Sequence, residues 1–151
     1  PFAVSNKWGL VDETGKTLLT PRYDSIGSFH QNYGVPYANF YHRGKTGILN
    51  QAGAVVLPAA AYHGIQHDGY MVFSAGITRV GKKYGLLRQT AKGVVSETLP
   101  PHYDRIVPFQ GSEHHYAVWQ SGRAGIVSAR GAWEVPLEYD SCQVAFAGTF
   151  T

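Results

Sequence analysis

The segment Lys7-Trp8-Gly9-Leu10-Val11-Asp12, followed by Gly15-Lys16, decides how this chain reads, because it returns three more times. Lys45-Thr46-Gly47-Ile48-Leu49-Asn50 leads to Gly53, Lys83-Tyr84-Gly85-Leu86-Leu87-Arg88 to Gly93, and Arg123-Ala124-Gly125-Ile126-Val127-Ser128 to Gly131. The lead glycines Gly9, Gly47, Gly85 and Gly125 stand 38, 38 and 40 residues apart. Each of them opens the same succession of residues. An apolar pair and a proline come first: Leu18-Leu19 to Pro21, Val55-Val56 to Pro58, Val94-Val95 to Pro100, and Val135-Pro136. A tyrosine and a polar residue come next, as Tyr23-Asp24, Tyr62-His63, Tyr103-Asp104 and Tyr139-Asp140, and then an apolar residue, Ile26, Ile65, Ile106 or Cys142. Self-similarity at a fixed period of this length is the mark of a repeat architecture.

Each repeat reads as four short strands. Strand a is the apolar triplet after the lead glycine. A glycine turn (Gly15, Gly53, Gly93 or Gly131) closes the a–b hairpin, where positive φ suits glycine. Strand b is the Val/Leu pair, and proline is expected to end it because proline cannot donate to a ladder. The tyrosine then starts strand c with its ring inward. Strand d is Val35-Pro36-Tyr37-Ala38, Ile77-Thr78-Arg79-Val80 or Tyr116-Ala117-Val118-Trp119. No segment holds a 3.6-residue period over helical length. The fold class is therefore all-β: four tandem repeats of about 38 residues, each of short antiparallel strands, stacked as an open or partly closed propeller-like or solenoid-like array. One domain covers 1–151, with repeats at about 7–43, 44–81, 82–121 and 122–151, and 1–6 as a strand completing a repeat. The fourth repeat stops near Phe146 without a strand d, and Phe2-Ala3-Val4-Ser5 stands where a strand d belongs. A ring closed by the N-terminus and an open stack both fit.

Composition agrees. Of 151 residues, 44% are hydrophobic and only 15% charged, against roughly 25% charged in an average soluble domain, which excludes a disordered polyelectrolyte. No apolar run approaches the ~20 residues of a membrane-spanning helix. The single cysteine, Cys142, cannot form an internal disulfide and takes an isoleucine position of its repeat, which suits a buried thiol better than a nucleophile. The net charge is +3 and the pI about 9.1, with no run of five basic residues. The chain starts at Pro1 with no apolar leader, so it is expected to be cut from something longer, and the compartment, cytoplasm or envelope, stays open.

The ordered features of the first repeat, Lys7-Trp8-Gly9-Leu10-Val11-Asp12, Gly15-Lys16 and Pro21-Arg22-Tyr23-Asp24, resemble the WG-repeat family of bacterial proteins. The resemblance extends over nearly the whole chain, although Trp8 becomes Thr46, Tyr84 and Ala124 in the later repeats. It implies a β-rich repeat architecture and no catalytic activity; separately, no cofactor or metal is expected.

The residues that could carry chemistry read as structure. The Tyr-Asp pairs recur with the repeat, in three of the four, so Asp24, Asp104 and Asp140 are expected to accept hydrogen bonds from turn amides. Gly81-Lys82-Lys83-Tyr84-Gly85 lacks the spacing of a phosphate loop, and His63 and His67 straddle a strand and turn without the glutamate of a metalloprotease motif.

Topology sharpens what is left. In a meander the d–a and b–c turns share one edge, which gathers Lys7, Arg43, Lys45, Lys82, Lys83 and Arg123 into a basic rim partly neutralised by its own aspartates. The opposite edge holds the c–d loops, which differ between repeats and so are free to carry function. The expected partner-binding residues are His30, His67, Asp68, Tyr70, Glu113, His114, His115 and Tyr116, with Tyr70 and Tyr116 as aromatic anchors. Four histidines there imply mildly pH-dependent binding, since their unperturbed pKa is about 6.5. The leading expectation is a non-catalytic module that binds another protein, with a secreted toxin, as for an immunity protein, as one partner. The alternative is a glycan or cell-wall polymer stacked on Trp119, Trp133 and tyrosines, while nucleic acid has no recognised module here.

Overall fold

A computed structural model describes residues 1–30, 36–67, 75–89, 95–108 and 115–141. The described residues form strands and turns without a helix. The strands are β1 (Phe2–Val4), β2 (Lys7–Val11), β3 (Thr17–Tyr23), β4 (Ser25–Ile26), β5 (Tyr37–His42), β6 (Lys45–Asn50), β7 (Val55–Tyr62) and β8 (Gly64–His67). They continue with β9 (Ala75–Val80), β10 (Lys83–Gln89), β11 (Val95–Tyr103), β12 (Arg105–Pro108), β13 (His115–Gln120), β14 (Arg123–Ser128) and β15 (Trp133–Tyr139). They make four antiparallel sheets, ordered β1-β2-β3, β4-β5-β6-β7, β8-β9-β10-β11 and β12-β13-β14-β15. The expected all-β repeat array is what the chain forms.

The sheets do not coincide with the repeats. Each four-stranded sheet takes strands c and d of one repeat and strands a and b of the next. A single residue, Asp24, His63 or Asp104, lies between strand b of one sheet and strand c of the following one. Its amide already belongs to the later sheet: Asp24 N donates to Tyr41 O, His63 N to Arg79 O and Asp104 N to Trp119 O, each at 2.8 Å. β1 occupies a strand-d position against β2, with Phe2 opposite Gly9. Closure with the fourth repeat would involve 142–151, including Val144 and Phe146, which lie outside the described residues together with Cys142.

Two details of strand b correct the sequence reading. Proline does not end it: β3, β7, β11 and β15 run through Pro21, Pro58, Pro100-Pro101 and Pro136. The tyrosine ends strand b rather than starting strand c. Both result from a large bulge opposite the lead glycine. Trp8 pairs with Tyr23 and Leu10 with Leu19, so Gly9 alone faces residues 20–22. The same shift recurs at Gly47, Gly85 and Gly125. A bulge leaves residues out of the ladder, which is where a strand accommodates proline. The bulged backbone lies on the glycine: a Cβ on Gly9 would stand 2.3 Å from Leu19 O.

The turn glycines behave as expected. Gly15, Gly53 and Gly131 have φ of +84°, +83° and +83°, and Gly93 lies outside the described residues. The d–a turns are two-residue loops between register-paired ends, as in His42 opposite Lys45, and they place Asn6, Arg43 and Ser121 at positive φ. That backbone matches the right-handed twist of the flanking strands.

Packing is serial. The apolar pair after each lead glycine points to opposite faces, and the second and third sheets contribute to the core on both sides. Leu10, Leu19 and Tyr23 of the first sheet pack against Ile26, Ala38, Phe40 and Leu49 of the second. Tyr37, Ile48 and Tyr62 of the second meet Ile65 and Leu87 of the third. Ile77, Leu86 and Leu99 of the third meet Ile106, Tyr116, Val118 and Val127 of the fourth. The corner tyrosines Tyr23 and Tyr62 are buried as expected, whereas Tyr139 is 53% exposed. Polar bonds also join the second and third sheets: Asn39 Nδ2 donates to Ile65 O at 2.9 Å, and the Tyr62 hydroxyl donates to Glu97 Oε2. Burial, with the Glu97 bond second, pushes the Tyr62 hydroxyl well above its ordinary pKa.

Candidate functional site

In the c-d-a-b order the d–a turns and b-to-c corners still share one edge, and the a–b turns and c–d loops the other. The first edge is the basic rim, and it is built as a series of ion-paired corners. Asp24 Oδ1 accepts from Lys7 Nζ at 2.5 Å while its Oδ2 accepts from Arg43 N at 2.7 Å. Asp104 repeats this with Lys83 Nζ and with Ser121 N, the latter at 2.8 Å. Asp140 Oδ1 accepts from Arg123 Nη1 at 2.8 Å. Each of the first two carboxylates therefore ties a lysine of strand a to the left-handed residue of the next d–a turn. The lysine bond first, and the turn amide second, hold Asp24 and Asp104 below the ordinary carboxylate range. These are the turn-amide bonds expected of the Tyr-Asp pairs. Arginines complete the rim by covering rings: Arg22 lies 5.1 Å from the centre of Tyr23, and Arg105 4.8 Å from that of Trp119.

The second corner departs from the series. His63 stands where the aspartates stand, with Nε2 3.0 Å from Lys45 Nζ and Nδ1 accepting from Gly81 N at 3.3 Å.

The opposite edge is capped by strand-a residues. Asp12 Oδ1 accepts from Thr14 N at 2.9 Å, Thr14 Oγ1 at 2.7 Å and Lys16 N at 3.0 Å, which lowers its pKa, the Thr14 hydroxyl most. Asn50 Oδ1 accepts from Ala54 N at 2.9 Å and Ser128 Oγ from Ala132 N at 3.2 Å. Gln51 N donates to Pro36 O at 3.2 Å and binds the second a–b turn to the end of the preceding c–d loop. Between the first two a–b turns lies an open groove of about 650 Å³. Val11, Leu18, Pro36 and Ala52 give it apolar lining, and Asp12, Glu13, Thr14, Asn50 and Gln51 give it a polar rim. Val11 and Leu18 are each 38% exposed.

Of the residues expected to bind a partner, His30, His115 and Tyr116 are described with their side chains. His30 is exposed, pairs with Tyr37 across an isolated bridge, and has its ring centre 5.8 Å from that of Tyr37. His115 Nε2 lies 2.8 Å from Glu134 Oε1. His67 ends β8, and its side chain, like Asp68, Tyr70, Glu113 and His114, lies outside the described residues. Tyr116 corrects the expectation of an aromatic anchor: it is 1% exposed and belongs to the core between the third and fourth sheets, because alternation along β13 turns it inward. The groove residues Val11, Leu18, Pro36 and Gln51 were not singled out from the sequence. The apolar residues flanking the first a–b turn were visible, but their juxtaposition with Pro36 depends on how two sheets stack.

Residues 8–38, within the first repeat, match the family model described as WG containing repeat and are similar to it. No curated protein and no solved structure matches the chain.

Proposed function

We propose that this chain is a WG-repeat protein and a non-catalytic interaction module that docks another protein on its a–b and c–d edge. The carrying observation is the groove between the first two a–b turns, where Val11, Leu18 and Pro36 are held open by turns that their own caps fix in place. A preformed apolar floor with a polar rim is the usual anatomy of a protein-docking patch. Three of the carboxylates have structural duties: Asp12 caps a turn, and Asp24 and Asp104 hold corners. A secreted toxin, neutralised as by an immunity protein, is one partner class this edge would suit.

The glycan alternative has less support. Arg105 covers one face of Trp119, and Trp133 packs 6.1 Å from Tyr103. Among the described residues, the exposed aromatics Tyr41, Trp133 and Tyr139 are divided between the second and fourth sheets.

Affinity capture from the source cell with the intact chain and with Leu18→Asp tests the reading. A protein retained by the first and weakened about tenfold or more by the second supports it, as expected for a charge placed in an apolar contact. A protein that survives Leu18→Asp but is lost when Lys82 and Lys83 are reversed in charge moves the partner to the basic rim. Recovery of polysaccharide instead of protein favours the glycan reading.

A further inference from the structure

We propose that the second corner of the rim binds an oxyanion, a carboxylate or phosphate group, between Lys45, His63 and Arg79. The argument comes from comparing the corners. The amides of Asp24, His63 and Asp104 make the same bond to strand d, so the three positions are equivalent. In the first and third, a carboxylate joins a strand-a lysine to the amide of the next d–a turn. In the second, the lysine and the turn amide are kept, as Lys45 and Gly81, but the carboxylate is replaced by an imidazole.

The imidazole cannot do the same work. A neutral histidine has one acceptor nitrogen. Gly81 N approaches Nδ1 at 3.3 Å and Lys45 Nζ approaches Nε2 at 3.0 Å, so whichever ring nitrogen carries the hydrogen meets a donor. An oxygen accepting from both removes that conflict, and charge-assisted bonds of this kind are the strong ones.

A second replacement reinforces the first. The strand-d residue bonded to the corner amide is Tyr41 in the first case and Trp119 in the third, but Arg79 in the second. The Arg79 guanidinium is held beside the corner by donation from Nη1 to Gly81 O at 3.1 Å, and Lys82 comes next in the same turn. His63, Arg79 and Lys82 are exposed. Among the described residues, no carboxylate pairs with Lys45, His63, Arg79 or Lys82. The site is on the rim away from the groove, so its failure leaves the docking proposal standing.

The test titrates sodium acetate and, separately, sodium phosphate against sodium chloride at matched ionic strength, with NMR of the intact chain. The expected result is a saturating shift of the Gly81 amide and the His63 ring, without one at the equivalent amides of Arg43 and Ser121. The arm that saturates identifies a carboxylate or a phosphate source. His63→Asp, which restores the carboxylate of the other corners, should weaken binding roughly tenfold or more while thermal melting shows the fold intact. Arg79→Tyr, which restores the first-repeat residue, should weaken it as well. Shifts that track ionic strength alone, that appear equally at Arg43 and Ser121, or that persist in both variants would overturn the proposal.

Discussion

Gly47 shows how much one missing side chain does in this fold. A Cβ there would stand 2.5 Å from the Phe40 ring and 2.6 Å from Leu57 O, so the bulged backbone of β7 occupies the space a side chain would take. Gly47→Val should therefore destabilise the protein by about 2 kcal/mol or more, the scale of overpacking a tight site, measured by urea denaturation. Thr78 presents the reverse case. It faces Gly85 where Phe40 faces Gly47 and Val118 faces Gly125, and its fully buried hydroxyl has no hydrogen-bond partner. Thr78→Val keeps the shape and removes the unpaired polar group, so it should stabilise by about 1 kcal/mol. The lead glycines were legible in the sequence because they recur. Their cause was only half legible, since the bulge opposite Gly9 arises from Pro21 and its neighbours in a different strand.

At the scale of the element, the corner is the device that repeats. Asp24 and Asp104 have pKa values lowered in the folded state by the bonds from Lys7 and Lys83 and from the turn amides. A lowered folded-state pKa stabilises the fold above the unfolded value of about 3.9 and loses that contribution as pH falls through it and on toward the folded value. Stability should thus decline on acidification below about pH 4. In the double variant Asp24→Asn, Asp104→Asn that decline should flatten and stability at neutral pH should be lower, as read from denaturation midpoints across pH. The sequence showed that these aspartates cap turns. It did not show that the corner changes sheets, because one residue between Tyr23 and Ser25 reads equally well as a tight turn within a meander. His63 was visible as the break in the Tyr-Asp series, but Gly81, whose amide approaches its ring, is a neighbour only in space.

For the whole molecule, the offset between repeat and sheet decides where the chain can be divided. A fragment ending at His63 keeps the first two sheets whole. One ending at Gly81, the formal end of the second repeat, keeps β8 and β9 but removes β10 and β11, stripping the cover from Ile77 and leaving an open edge at β9. Open edges with exposed apolar residues aggregate. The shorter fragment uncovers the Tyr37, Ile48 and Tyr62 face but keeps every ladder whole, so it should form fewer large species than the longer one in size-exclusion chromatography with light scattering; equal behaviour would mean that the repeat, not the sheet, is the folding unit. Four tandem repeats and an all-β array could be read directly from the lead glycines. The order c-d-a-b could not, because it depends on which side of Asp24, His63 and Asp104 the hydrogen bonds fall.

The single-residue crossings also determine how the molecule meets tension. In each four-stranded sheet the chain arrives at the start of one outer strand and leaves from the end of the other, both on the basic rim. A pull on the two ends loads those outer strands at one edge and from opposite sides, so the ladders are peeled bond by bond instead of being sheared all together. Since each sheet meets only its neighbours, as in other repeat arrays, the sheets should yield in succession. Force spectroscopy is then expected to record a run of small, evenly matched ruptures where a sheared sandwich would give one high peak.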